Sequence, residues 1–244
     1  MHLNNLKNKV ASILQTVLLK LYKMVRTILP SYGKVKLSGY TTCRQQKILD
    51  EYVPGYPNNR HRKTYEYGIL KSIEKYVKDE MSVVVIGGGK GITTIAAAKK
   101  VGKRGHVTSY EGNASIAKEL EKNVEINEVS KRTQIVNKAV SKAGSVYGQK
   151  DSIEVVKASH VPICDVLILD AEGSEIFIIN HLDHIPEVLI VETHGMYGAG
   201  SDKVTSLMQN LSYDIASKQV ADKDKSKFCR KNDIFVVVGL NRKS

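Results

Sequence analysis

Short apolar runs alternate with amphipathic stretches from about Thr64 to the end of the chain. Seven runs have the character of strands, and in chain order they are SVVVI, GHVTSY, RTQIVNKAV, DVLILD, EVLIVE, SYDIAS and NDIFVVVGL. The first, fourth and fifth are almost entirely apolar, which is typical of strands buried on both faces of a parallel sheet.

Helical periodicity separates these strands. In TYEYGILKSIEKYV, Ile69, Ile73 and Val77 recur at four-residue steps, and similar stripes occur in ASIAKELEKNVEIN and KVTSLMQNL. Alternation of strand and helix predicts a doubly wound α/β domain in which helices cover a mostly parallel sheet.

A different pattern occupies the first 30 residues. The apolar positions that fall at three- and four-residue steps are Leu14, Leu18, Leu21, Val25 and Ile28. They form one face of a helix, basic residues are interspersed, and Pro30 ends the run. We therefore predict a basic amphipathic helical extension over residues 1–30, a linker or loop region over 31–63 and the α/β domain over 64–244.

Positive charge is concentrated in the N-terminal part. The chain has 37 Lys and Arg against 25 Asp and Glu, a formal net charge of +12. Nine of the bases and none of the acids lie in residues 1–49. The α/β domain is therefore nearly balanced in charge.

Three roles fit the extension. The helix packs on its own domain or on a partner chain, or residues 1–29 lie on an anionic membrane surface. An RNA-binding arm is a weaker third role, because the segment is rich in Leu and Ile and poor in stacking aromatics. The run is too charged to span a membrane and lacks a signal-peptide cleavage pattern.

The cysteines bear on the compartment. Cys43, Cys164 and Cys229 are far apart, have no metal-ligand spacing and cannot all pair, which suits a reducing environment. We predict a cytoplasmic protein with peripheral membrane contact as an option. The oligomeric state is left open.

A glycine-rich turn joins the first strand to a helix in VVVIGGGKGITTIAAAKK. A P-loop is excluded because Lys90 is followed by Gly91 rather than by Ser or Thr, and the dinucleotide fingerprint lacks its third glycine at Ile92. What remains is a G-x-G-x-G turn at Gly87, Gly89 and Gly91. Its backbone amides, together with the following helix start, favour a negatively charged group on a ligand.

An acidic residue completes the ligand pattern. Glu111 ends the second strand about 20 residues after the turn, the separation at which an acid meets the hydroxyls of a ribose. A ligand carboxylate at the glycines and a ribose at Glu111 together describe S-adenosylmethionine.

Several segments of the chain resemble the FkbM-type methyltransferases, a family within the class I S-adenosylmethionine-dependent enzymes. The matching pieces are GGGKGITT, VTSYEGN, LEKNVEIN, NKAVS, LILDAEGSE and VLIVETHG, between about Tyr65 and Leu240. The most specific are D-x-E-G-x-E after the fourth strand and E-x-H after the fifth. The resemblance implies O-methylation and a seven-stranded, mostly parallel Rossmann-like methyltransferase sheet with an antiparallel C-terminal strand.

The resemblance also implies site residues. By this resemblance Gly87, Gly89, Gly91 and Glu111 bind the cofactor, and Asp170 lies at its reactive end. Lys90 and Tyr65 complete the predicted cofactor-binding set. The family usually has an acid two residues before the first loop glycine, where this chain has Val85. Lys90 is expected to take over part of the contacts that this acid would make.

Four polar side chains follow the fourth and fifth strands, independently of any resemblance. They are Asp170, Glu172, Glu192 and His194. Ligands of open α/β sheets bind at the carboxyl ends of the strands, so these side chains are predicted to converge as catalytic residues. A hydroxyl acceptor needs a general base, which could be His194 or a carboxylate whose pKa is raised by its crowded neighbours. We predict that His194 is this base, oriented by Glu192 or Asp170.

Structural roles compete with this prediction. Asp170 and Glu172 could cap the helix that begins near Ser174, and His194 could be a loop histidine bonded to backbone. A divalent cation held by Asp170, Glu172 and His194 is a further alternative, since hard carboxylates suit Mg²⁺. No metal is predicted, because spacing alone does not fix coordination geometry.

Taken together, these patterns predict a methyltransferase that moves a methyl group from S-adenosylmethionine to a hydroxyl oxygen of a small molecule, lipid-linked sugar or glycan. The first alternative is an RNA methyltransferase that uses the basic N-terminal region. The second is a non-catalytic, membrane-associated binding protein on the same scaffold.

Overall fold

The computed structural model describes residues 2–29, 31–47, 63–141 and 153–242. The chain divides into two compact units, Met1–Arg62 and Lys63–Ser244. Of the linker or loop region predicted over residues 31–63, residues 48–62 lie outside the described residues.

The first unit contains a helix and a β-hairpin. Helix α1 covers His2–Val25, strand β1 covers Ser31–Leu37 and strand β2 covers Tyr40–Lys47. The two strands pair antiparallel around Ser38 and Gly39, both with positive φ. None of the helices among the described residues is both long and apolar enough to cross a membrane.

The prediction of a linker from residue 31 onward is therefore wrong for the hairpin. Val35, Leu37 and Thr42 are buried, whereas Lys34 and Lys36 are exposed. This alternation has the two-residue period of a half-buried strand, and Ser-Gly is a common hairpin turn. The alternation spans only a few residues between basic side chains, so it is a weak signal for a strand.

The second unit alternates strands and helices. Its elements are α2 (Tyr67–Tyr76), β3 (Ser82–Ile86), α3 (Ile92–Lys100), β4 (His106–Tyr110), α4 (Ala114–Ile126), β5 (Thr133–Val136), β6 (Ala139–Val140), β7 (Val155–Val156), β8 (Val166–Leu169), α5 (Glu175–Asn180), β9 (Val188–Glu192), α6 (Ser201–Asn210), β10 (Tyr213–Val220), α7 (Ser226–Lys231) and β11 (Phe235–Asn241).

Seven of these strands form one sheet in the order β10-β11-β9-β8-β3-β4-β5. Strands β5, β4, β3, β8 and β9 are parallel, and β11 runs antiparallel between β9 and β10. The predicted Rossmann-like sheet with an antiparallel C-terminal strand is confirmed. Strands β3, β8 and β9 are almost wholly buried, as their unbroken apolar runs indicated.

The predicted third strand is divided in two. Pairing with β4 ends at Val136, and the chain then turns so that Ala139 N donates to Glu154 O and β6 pairs with β7 in a separate small sheet. The side chain of Asn137, between the two pieces, donates to the Glu111 carbonyl at 2.8 Å. The break therefore fixes the backbone around Glu111, at the edge of the sheet that carries the candidate site.

Candidate active site

The glycine turn follows β3 and leads into α3, as predicted. Gly87, Gly89 and Gly91 all have positive φ, at 91°, 51° and 84°. A Cβ on Gly87 would lie 1.9 Å from the Asp170 carbonyl oxygen, so only glycine permits the ends of β3 and β8 to approach this closely. A Cβ on Gly89 would come no nearer than 4.0 Å to any protein atom, which leaves open space on the ligand side of the turn.

Glu111 is held against this turn. One of its carboxylate oxygens accepts a hydrogen bond from Gly89 N at 2.9 Å, and the other accepts from Asn113 N at 2.8 Å. The prediction had placed Glu111 near the turn through a shared ligand. In the structure its side chain also shapes the turn directly, and its remaining lone pairs can accept from ligand hydroxyls.

A cavity of about 400 Å³ lies at the carboxyl ends of β3, β4 and β8. The predicted site residues that line it are Tyr65, Gly87, Gly89, Glu111, Asp170 and Glu172. Lys90 and Gly91 do not line the cavity. The Lys90 ammonium lies 5.3 Å from the centre of the Tyr65 ring, and Gly91 is the N-terminal cap of α3.

Glu66 is a cavity residue that sequence reasoning missed. It accepts hydrogen bonds from Thr93 N at 3.0 Å and Thr93 Oγ1 at 2.6 Å, and it has a positive φ of 53°. Burial raises the pKa of its carboxyl group. No spacing rule relates an acid before α2 to a glycine turn more than 20 residues later, so only the fold reveals this carboxylate beside the turn.

The second group of predicted residues converges at the ends of β8 and β9. His194 Nε2 lies 3.6 Å from Asp170 Oδ1 and 4.0 Å from Glu192 Oε1. Ligand atoms of these three residues lie within 4.8 Å of one another. Glu172 lines the cavity but is not part of this cluster.

Glu175 orients His194, and the predicted orienting role of Glu192 or Asp170 is therefore wrong. His194 Nδ1 lies 2.8 Å from Glu175 Oε1, and the Glu175 side chain is fully buried. The same carboxylate accepts from Ala171 N and Gly173 N, so Glu175 also holds the loop between β8 and α5. The N-cap of α5 is Ser174 and has no side-chain cap hydrogen bond, so neither Asp170 nor Glu172 caps this helix. The final acid of D-x-E-G-x-E was the available signal, but its target depends on tertiary packing.

The alternative role of His194, a loop histidine bonded to backbone, describes its main chain but not its ring. Its backbone forms a bridge with Ala199, while its ring bonds Glu175 and is 91% buried. A ring fixed through Nδ1 presents Nε2 to the Asp170 and Glu192 carboxylates. This is the arrangement in which a histidine can accept a proton at a defined position.

Burial and mutual repulsion perturb the titration of the cluster. Burial and the neighbouring Glu192 raise the pKa of Asp170, and burial together with Glu66 raises the pKa of Glu192 to about 8. Burial alone would lower the pKa of His194, but the hydrogen bond with Glu175 and the charge of Asp170 outweigh it and raise it. The titrations of these carboxylates and the imidazole are therefore coupled.

Asp170, Glu192 and His194 also have the ligand types of a divalent-cation site. The sequence alternative named Glu172 as the third ligand of such a site, whereas in the structure the third candidate ligand is Glu192. His194 Nε2 cannot take the proton of a substrate hydroxyl while it is bound to a cation. The two roles therefore make opposite predictions for the effect of a chelator.

Comparisons with known proteins do not assign a family to the chain. No protein-family model and no curated protein matches the chain. Among solved structures, the precorrin-6y C5,15-methyltransferase of Geobacter metallireducens is 12% identical, covers 75% of this chain and 89% of its own, and has a TM-score of 0.48.

Two further solved structures have similarly low identity to this chain. An S-adenosylmethionine-dependent O-methyltransferase from Thermotoga maritima is 14% identical over 72% of this chain and 64% of its own, with a TM-score of 0.47. Fibrillarin from Aeropyrum pernix, solved with natively bound S-adenosyl-L-methionine, is 11% identical over 67% and 68%, with a TM-score of 0.46. All three TM-scores are below 0.5.

Proposed function

We propose that this protein transfers a methyl group from S-adenosylmethionine to a hydroxyl oxygen of a small molecule, lipid-linked sugar or glycan. The observation that carries the proposal is the cavity of about 400 Å³ at the sheet edge. Its lining runs from the glycine turn and Glu111 at one end to Asp170, the neighbour of His194, at the other. A cofactor site and a proton acceptor thus lie side by side.

The residues of the cavity fit the cofactor chemically. The open side of Gly89 admits a ligand against the backbone, and the Glu111 carboxylate is positioned to accept from ribose hydroxyls. The cofactor carries a sulfonium and an ammonium group, and Glu66 and Asp170 line the cavity as partly buried acids. Burial raises their pKa values, and a bound cation would favour their ionised form. Glu66 thereby provides the acid that is absent at Val85.

The cofactor, when bound, supplies an electrophilic methyl carbon. The protein then has to hold an acceptor oxygen in line with that carbon and remove the proton of the oxygen. His194 Nε2 takes the proton, Glu175 fixes the ring through Nδ1, and the nearby carboxylates stabilise the imidazolium that forms. The resemblance to FkbM-type methyltransferases, in D-x-E-G-x-E and E-x-H, supports oxygen as the methylated atom.

Glu111→Ala is expected to weaken binding of S-adenosylmethionine by one to two decades. The change removes hydrogen bonding to a charged group, a loss of about 1.5–3 kcal/mol in total, and it frees the Gly89 amide. Isothermal titration calorimetry measures the affinity. Glu121→Ala, at an exposed position of α4, is the control with the same loss of charge. Equal affinities for the two variants would remove Glu111 from the cofactor site.

Glu66→Gln is expected to weaken cofactor binding about tenfold, because it neutralises a buried acid while keeping the shape of the side chain. The glutamine oxygen can still accept from Thr93, so the fold should be retained. Calorimetry of this variant beside Glu74→Gln, an exposed position on α2, isolates the effect. Unchanged affinity at position 66 would show that the acid has a purely structural role.

A further inference from the structure

Helix α1 exposes a continuous apolar face in this structure. Its large apolar side chains that are 45% to 74% exposed are Val10, Ile13, Leu14, Val17, Leu18, Leu21, Met24 and Val25. At 3.6 residues per turn these positions project into an arc of roughly 140°. Tyr22, outside that arc, is only 3% exposed, so the exposed apolar face is distinct from the buried side of the helix.

The charges beside this apolar face are all positive. Lys20 and Lys23 are exposed, and on a helical wheel they lie about 20° and about 80° beyond one edge of the arc. Residues 1–49 contain no Asp or Glu, so no acid of this region can neutralise them. An occupant of the face must therefore offer both an apolar layer and negative charge.

We infer that α1 adsorbs to an anionic lipid surface. A helix with a wide apolar face and flanking lysines can bury the former among acyl chains while the ammonium groups reach lipid phosphates and carboxylates. A second copy of α1 would bring lysines against lysines with no acid between them. RNA would offer charge but no apolar layer, and the face has no aromatic side chain on which bases could stack.

Three double variants of the full-length protein test this with vesicles of phosphatidylcholine alone or with added phosphatidylserine. Leu14→Gln with Leu21→Gln should lower partitioning onto the anionic vesicles roughly 100-fold, because two leucines leave the interface. Lys20→Gln with Lys23→Gln should lower it roughly fivefold per lysine at low salt. The control is Ser12→Gln with Thr16→Gln, exposed positions outside the arc, which should bind like the unmodified protein.

Co-sedimentation with both kinds of vesicle, at low and high salt, gives the outcome. Selective binding to anionic vesicles that is lost in the leucine variant and weakened by salt supports the inference. Binding that is indifferent to lipid charge, or equal in the leucine variant and the control, overturns it. Self-association abolished by the leucine changes without any vesicle binding would assign the face to a second copy instead.

Discussion

His194→Gln is expected to lower kcat by about 10²- to 10⁴-fold while the affinity for S-adenosylmethionine stays close to that of the unmodified protein. General base assistance contributes about this factor, and it acts only as the acceptor proton leaves. His194 has a suitable geometry for a general base. Its side chain is only 9% exposed, its ring is fixed through Nδ1, and its Nε2 faces Asp170. Rates and calorimetric affinities of the variant provide the two readouts.

The pH dependence follows from the same site. Nε2 accepts a proton only when the ring is neutral, and the pKa of His194 is raised by Glu175 and Asp170. The rate should therefore rise with pH through that raised pKa, above the ordinary value of about 6.5 for histidine. Glu175→Gln removes the charge responsible, so the rise should move to lower pH while the maximal rate falls. Thermal unfolding of this variant checks that the buried site still folds.

Two controls keep this test decisive. His160→Gln, at an exposed position, should leave kcat unchanged. A chelator should have no effect on the unmodified protein if Nε2 accepts a proton, because no cation then occupies the cluster. Near-normal kcat and an unaltered pH profile in His194→Gln, or loss of activity on chelation, would contradict the role of His194 as the base.

Gly89→Val is expected to reduce the affinity for S-adenosylmethionine by roughly 100-fold. This is a larger loss than removal of most single contacts with the cofactor would cause. A side chain here enters the open side of the glycine turn, and overpacking costs about 1–3 kcal/mol before lost contacts with the cofactor are counted. The positive φ of 51° also strains valine. The affinity is measured by calorimetry.

A second glycine separates strain from lost binding. Gly39, in the turn between β1 and β2, has a φ of 88° and no atom within 4 Å of a built Cβ. Gly39→Val therefore introduces comparable backbone strain into a turn without a role in the proposed site. It should lower the unfolding temperature and leave cofactor affinity intact. Equal affinities in both variants would show that the space at Gly89 is not used by the cofactor.

Sequence patterns predicted the sheet and the position of its site for physical reasons. Strands buried on both faces must be apolar throughout, so β3, β8 and β9 are visible as unbroken runs. Neighbouring parallel strands end at the same edge of the sheet, so the sequence alone predicts that Asp170, Glu192 and His194 lie close together. Both the fold and the location of the candidate site follow from local patterns of this kind.

Partner choice within the site could not be predicted in the same way. Glu175 and Glu192 are both acids near His194 in the folded chain, and only packing of α5 against the end of β8 brings Glu175 to Nδ1. Glu66 reaches the glycine turn because α2 starts beside Thr93, a contact across 27 residues. Such contacts depend on how the helices are seated on the sheet, and single-sequence periodicity carries no information about that.

Transfer of an isotopically labelled methyl group from S-adenosylmethionine is the most direct measurement of the proposed activity. The protein is incubated with labelled cofactor and separate extracts of metabolites, lipid-linked sugars, glycans and RNA, with Gly89→Val and His194→Gln as parallel samples. We expect saturable label in a methyl ether of a non-RNA acceptor, strongly reduced in both variants. No transfer of label to any of the extracts, or label recovered only in RNA, would contradict the proposed function.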